Sequence, residues 1–135
     1  MRLFFRKFKK SQKGIGLIMM AVMLPFMALI MVFSIDLGLA TVAQSRLESA
    51  VNRAATVSIL QSPNISAMQA NADALVKLSM ADKDRFGTNL VVTSTSTDGS
   101  DLNVLATMDV YSYFGHIAGY SFYTVSASAD RFLIP

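Results

Sequence analysis

The sequence predicts an α+β chain: a single N-terminal transmembrane helix continuing into a long amphipathic helix, then a second helix and a small three-stranded antiparallel sheet. Three observations predict it. An uncharged apolar run from Ile15 to Ile35 follows a basic leader that ends at Gly14. Apolar residues then recur at helical spacing from Ala40 to Val57. Beyond Gly87 the hydrophobic pattern turns to alternation, the period of a strand. The chain divides into a leader over residues 1–14, a span over residues 15–35 and a water-side domain over residues 36–135.

Charge sets the orientation of the span. Arg2, Arg6, Lys7, Lys9, Lys10 and Lys13 are half of the 12 Lys and Arg, and no acid lies among them. The remaining bases face 9 acids, so the rest of the chain is net negative although the whole carries +3. That distribution argues against nucleic acid as a partner. Lys and Arg beside a span stay on the cytoplasmic side. The N-terminus is therefore expected inside, and everything after Asp36 across the lipid bilayer.

The 21 residues from Ile15 to Ile35 span roughly 32 Å as a helix, which matches a hydrocarbon core of about 30 Å. The run is too long for the core of a cleavable secretory signal, and Asp36-Leu37-Gly38 is unlike its cut site. Pro25 lies inside the span and predicts a kink, of a kind that membrane helices tolerate. Met19, Met23, Met27 and Met31 recur every fourth residue. With no His or Cys nearby, they read as flexible apolar packing or lipid contact rather than a metal relay.

Beyond the span, Ala40, Ala43, Leu47, Ala50, Ala54 and Val57 form one stripe of a helix. No Pro or Gly interrupts residues 39–62, so the membrane helix is expected to continue as one rod to about Leu60. Pro63 then ends it by disfavouring helical backbone at the residue before it. Small side chains let another element approach closely. That element is the chain's own C-terminal domain or another subunit, and packing on its own domain is the simpler outcome.

Ser66 to about Ala81 reads as the second helix, capped by Ser66, with Ala67, Ala70, Leu75 and Leu78 as its apolar positions. Leu90 to Thr97 is rich in Val and Thr, as strands are. Asp98-Gly99-Ser100-Asp101 is a hairpin turn. It leads into a strand in which Leu102, Val104, Ala106, Met108 and Val110 face inward and Leu105 outward. Tyr111 to Tyr120, aromatic and broken by Gly115 and Gly119, reads as a loop. Phe122 to Phe132 alternates again and is the third strand. Roughly 100 residues beyond the span suffice for one small core.

The sequence offers no catalytic constellation, and no cofactor or metal is expected. Cysteine is absent, which removes disulfides and thiol chemistry. His116 is the one histidine and reads as a surface or packing residue. Asp98 and Asp101 supply too few oxygens for calcium, which takes six to eight.

Three stretches together resemble the TadE/TadG-like proteins of the tight-adherence (Flp) pilus system. They are Lys13-Gly14 followed by Ile15 to Leu24-Pro25, then Ile35-Asp36-Leu37-Gly38, then the alanine-rich helix from Ser45-Arg46-Leu47 to Ala54-Ala55. Tyr123 to Arg131 also looks like the end of TadE-like chains. The resemblance implies a pilin-like fold and a structural, non-enzymatic part: a minor pilin or pseudopilin-like component held in the bacterial inner membrane. Its water-side domain would be periplasmic, or carried into the pilus. It implies other pilus or pseudopilin subunits and the assembly machinery as partners. It also implies a prepilin peptidase, which cuts some members after the glycine, here between Gly14 and Ile15. Members that are cut carry a Glu five residues beyond the cut, where this chain has Met19. A new ammonium at Ile15 would find no carboxylate there, and an unpaired charge within a membrane is costly. On this point the chain resembles the uncut TadG-like anchors, whereas its length resembles TadE. A second reading is a membrane-anchored periplasmic binding or sensing module, with Phe114, Tyr120, Phe122 and Tyr123 as its binding surface.

Overall fold

The computed structural model describes the backbone of residues 2–133 and the side chains of residues 14–133, so the leader's basic side chains lie outside the described residues. The architecture is α+β, built on one long N-terminal helix. Helix α1 (Arg2–Ser58) runs for 57 residues and passes through Pro25. From Gly14 to Met31 every residue is exposed. This part of α1 is long and apolar enough to cross a membrane.

The exposure changes at Asp36. From there α1 buries one face, through Ala43, Leu47, Ala50, Val51, Ala54 and Ala55. The stripe expected from spacing is thus the spine of the chain's own core, with two corrections. Ala40 is only half-buried, and Val57 is 49% exposed. The inward position at that turn belongs to Ser58, fully buried, whose Oγ accepts a hydrogen bond from Asn71 Nδ2 at 3.2 Å. A helix of 3.6 residues per turn drifts against a strict three-four repeat, which carries Val57 off the face and Ser58 onto it. The helix tightens to a 3₁₀ turn at Ile59–Gln61 and stops before Pro63.

Helix α2 (Ile65–Ser79) begins earlier than expected. Asn64, not Ser66, is its N-cap: the Asn64 Oδ1 accepts from the Ala67 N–H at 3.1 Å, and the Ser66 hydroxyl donates to the same oxygen. Its buried positions are Met68, Ala72 and Val76. The expected set was only partly in phase: Leu75 packs half-buried against the core and Ala67 is half-buried, whereas Ala70 is exposed and Leu78 is 73% exposed.

Three strands complete the domain. β1 (Gly87–Thr95), β2 (Asp101–Tyr111) and β3 (Phe122–Phe132) form an antiparallel sheet in the order β1-β2-β3. β3 has the bounds expected from its alternation. β1 is shifted from the expected Leu90 to Thr97: Gly87 and Thr88 already pair with Val110 and Asp109 ahead of an extra residue between Thr88 and Val91, and the turn held by Asp101 ends the strand at Thr95. Asn89 takes a positive φ of 56° at this bulge, and its Nδ2 donates to Asp109 Oδ2 at 3.0 Å. The β1–β2 turn is held by its own acids. Asp101 Oδ1 accepts from the Thr97 N–H at 2.7 Å, and Asp98 Oδ1 from the Ser100 N–H at 2.9 Å. The Thr97 N–H and its neighbours hold the Asp101 carboxyl below the usual carboxylate range.

One face of the sheet carries Leu102, Val104, Ala106, Met108 and Val110 from β2 and Val125, Ala127 and Ala129 from β3, all buried against α1 and α2. The register brings Ala106 opposite Ala127 and Val104 opposite Ala129. Small residues on both the sheet and α1 let helix and sheet approach closely, as dense packing requires. The outer face carries Thr93, Asn103, Leu105, Thr107, Ser126 and Ser128.

Leu47 is fully buried at the centre of this layer. Leu47→Ala is expected to destabilise the domain by about 2–5 kcal/mol, whereas Leu78→Ala is expected to change stability by about 0.5 kcal/mol or less. Urea denaturation of the full chain in detergent micelles checks both.

Candidate functional site

Asp36 is the first residue beyond the apolar segment, and it is 2% exposed. An ionised carboxylate is buried only where donors replace its water. The donors come from the β2–β3 connection, 76 to 78 residues away in the chain. Asp36 Oδ2 accepts from the Ser112 hydroxyl at 2.8 Å and from the Phe114 N–H at 2.6 Å, and Asp36 Oδ1 accepts from the Tyr113 N–H at 2.8 Å. The connection is not the expected loop. It folds into a short helix, α3 (Tyr113–Ala118), capped by Ser112, whose Oγ accepts from the Gly115 N–H at 2.7 Å. The Asp36 carboxylate therefore sits on the free N–H groups of the first turn, where helix ends favour negative charge.

Two glycines allow this turn. Gly119 closes α3 at φ 91°, a left-handed conformation that suits glycine. A Cβ at Gly115 would meet the Ser112 hydroxyl and, at 2.6 Å, the Tyr120 carbonyl oxygen. The two glycines that suggested an open loop are thus what permits a helix of six residues.

Burial alone would raise the Asp36 pKa. The hydrogen bonds from Tyr113, Ser112 and Phe114 outweigh it and hold the carboxyl below its ordinary value of 3.8. Beside the carboxylate, the Phe33 and Phe114 rings meet edge to face, with centroids 5.5 Å apart. Phe33 belongs to the last turn of the apolar segment, so α3 touches α1 on both sides of that boundary.

The remaining residues singled out by sequence are dispersed. Gly14 and Ile15 lie in continuous, exposed helix, and Ile15 is 56% exposed. Pro25 lies in the bare part of α1, well apart from Asp36. Ala43, Leu47, Ala50 and Ala54 are core. Of the aromatic residues expected to form a surface, Tyr120, Phe122 and Tyr123 are exposed, whereas Phe114 is half-buried against Phe33. Tyr111, Ser112, Tyr113, His116, Ser121 and Phe122 line an open, mostly apolar hollow of about 530 Å³. Among the described residues, no three His, Cys, Asp or Glu side chains gather as metal ligands do.

Sequence reasoning marked Asp36 but missed its partners. Ser112 before Tyr113-Phe114 is a capping residue before a turn, the one local signal that was present. Comparison with protein-family models, with characterised proteins and with solved structures finds no match.

Removing the carboxylate strands two backbone donors and a hydroxyl. Asp36→Ala is expected to cost about 1.5–3 kcal/mol and to speed hydrogen exchange at the Tyr113 and Phe114 amides more than at core strand amides. The pH dependence has a definite sign. Because the folded-state pKa lies below 3.8, the stabilisation is complete above that value and is lost as pH falls through the depressed one. Exchange at the same two amides, followed down a pH series and corrected for intrinsic rates, is expected to lose protection only in that acid range, and in Asp36→Asn to lose the pH dependence.

Proposed function

We propose that this chain is a structural component of a tight-adherence type IV pilus system, held in the inner membrane by α1 with its α+β head in the periplasm. One observation carries the reading: a single continuous helix is apolar and largely exposed from Gly14 to Ile35 and is the buried spine of a small head from Asp36 to Ser58. Such a helix gives a subunit a membrane address and a rigid connection to its folded part. The three N-terminal segments resembling TadE/TadG-like proteins lie on that helix, and the C-terminal one, Tyr123 to Arg131, lies in β3. Asp36 of Asp36-Leu37-Gly38 is the buried carboxylate. Leu47, Ala50 and Ala54 of the alanine-rich segment are core, and Arg46 pairs with Asp82 at 2.8 Å and lies over the Phe86 ring.

Within this reading the chain acts as an anchor for assembly rather than as a polymerising pilin. With Met19 where a processed pilin has its Glu, the segment from Ile15 to Ile35 holds no acid to meet a new N-terminal ammonium. Contacts with other subunits then fall to the exposed apolar face of α1, since the alanine stripe is occupied by the chain's own sheet. The hollow beside Tyr113 favours the second reading, a membrane-anchored binding module, in which pilus formation would not depend on the chain.

Two measurements decide between them. Deletion of the gene is expected to abolish surface pili seen by electron microscopy; a deletion strain with normal pili overturns the proposal. The intact mass of protein extracted from membranes is expected to be that of the full chain. A loss equal to Met1 through Gly14 would show prepilin processing and remove the anchor role.

A further inference from the structure

The head has two ends, and they differ in chemistry. The Ser62 hydroxyl donates to the Gly99 carbonyl at 2.5 Å, so the β1–β2 turn lies at the far end of α1. Asp36 holds Ser112, Tyr113 and Phe114, so the β2–β3 connection lies at the near end. Lengths agree with this placement. From Asp36 to Gln61 a helix rises roughly 38 Å, and the 11 residues of β2 return roughly 36 Å of it as a strand. The connection carrying α3 is thus level with the end of the apolar segment.

That connection has no acidic, lysine or arginine side chain. Between Asp109 and Asp130 no Asp, Glu, Lys or Arg occurs, and α3 lies at the middle of the stretch. Its large outward residues are mostly apolar or amphipathic: Tyr113 is 62% exposed, Ile117 68% and Tyr120 70%, with His116 exposed beside them. The opposite end, by contrast, presents Asp98 and Ser100 to solvent. Tyrosine favours a membrane–water boundary because its ring is apolar and its hydroxyl is wet.

We propose that α3 and the aromatic tip around it rest on the bilayer that α1 crosses, with Tyr113, Ile117 and Tyr120 in the headgroup region. This rests on the reading of α1 as a membrane span. The occupant of the surface is lipid rather than a second protein because the surface continues directly from the apolar segment. Phe33, on that segment, packs on Phe114 of α3, and Asp36 ends the segment by capping α3. The clasp thereby fixes the tilt of the head: α1 pins it at one point and the tip at a second.

The absence of cysteine makes the test clean. Single variants Met23→Cys, Ile117→Cys, Tyr120→Cys and Thr93→Cys of the full chain, all at exposed positions, are labelled with an environment-sensitive fluorophore. Each is reconstituted into phosphatidylcholine vesicles whose acyl chains are brominated close to the headgroup or near the bilayer centre. Bromine near the headgroup is expected to quench labels at positions 117 and 120 several-fold more than the label at position 93, and central bromine is expected to quench position 23 most. Labels at 117 and 120 that behave like the one at 93, freely quenched by aqueous iodide, overturn the proposal. Labels there that are shielded from both iodide and bromolipid overturn it too and point to a protein partner. If position 23 also escapes bromolipid, the membrane reading itself fails. Quenching at position 23 with none at 117 and 120 leaves the span in place and removes only the resting tip.

Discussion

A carboxylate at the end of an apolar helix must either stay in water or be given donors. Here Asp36 is given donors, and the choice organises the rest of the molecule. Two backbone N–H groups and the Ser112 hydroxyl close on it from a segment more than seventy residues away in the chain. That contact holds the end of β2 and the beginning of β3 against α1. It also makes six residues helical that are too few to form a stable helix alone. Among the described residues, no buried side-chain polar atom is left without a partner, so the buried charge carries no uncompensated neighbour.

The same helix meets two requirements that usually fall to different elements. Its segment from Ile15 to Ile35 presents large apolar residues on all sides, as a helix surrounded by hydrocarbon does. Its segment from Asp36 to Ser58 narrows the apolar surface to one face and reduces side-chain size there to alanine, valine and one leucine. Nothing in the backbone marks the change. It is made by side chains alone, and Asp36 is where it happens.

Much of this was legible in the sequence because it rests on periodicity. The continuous helix through residue 58, the inward set of β2 and both limits of β3 follow from patterns of 3.6 and 2. The phase of α2 did not follow. Ala67, Ala70, Leu75 and Leu78 and the fully buried set of Met68, Ala72 and Val76 are both apolar at helical spacing, and only packing against α1 chooses between them, leaving Leu75 at the margin of the core. Helix α3 was hidden because Gly115 and Gly119, which signal a break in an isolated segment, here relieve steric crowding and close the turn. The partners of Asp36 were hidden for another reason: contact order. No local pattern reports a contact across 76 residues, even though Asp36 itself stood out by position.

The sheet also has an asymmetry between its borders. Along β3, Gln44 Nε2 donates to the Ser126 carbonyl at 2.8 Å, and the Arg131 guanidinium donates to Thr56 Oγ1 at 3.1 Å and Asn52 Oδ1 at 3.0 Å. Side chains of α1 thus sew that border shut. Among the described residues the border of β1 has no such stitching to α1; only the Ser94 hydroxyl, donating to the Gln69 carbonyl of α2 at 3.3 Å, ties it to a helix, and its bulge at Asn89 spoils regular pairing at one end. An edge of open backbone groups invites another strand. Strand exchange or misassembly between heads therefore has the backbone of Val91 to Thr95 as its more open lane, and the long helix guards the other.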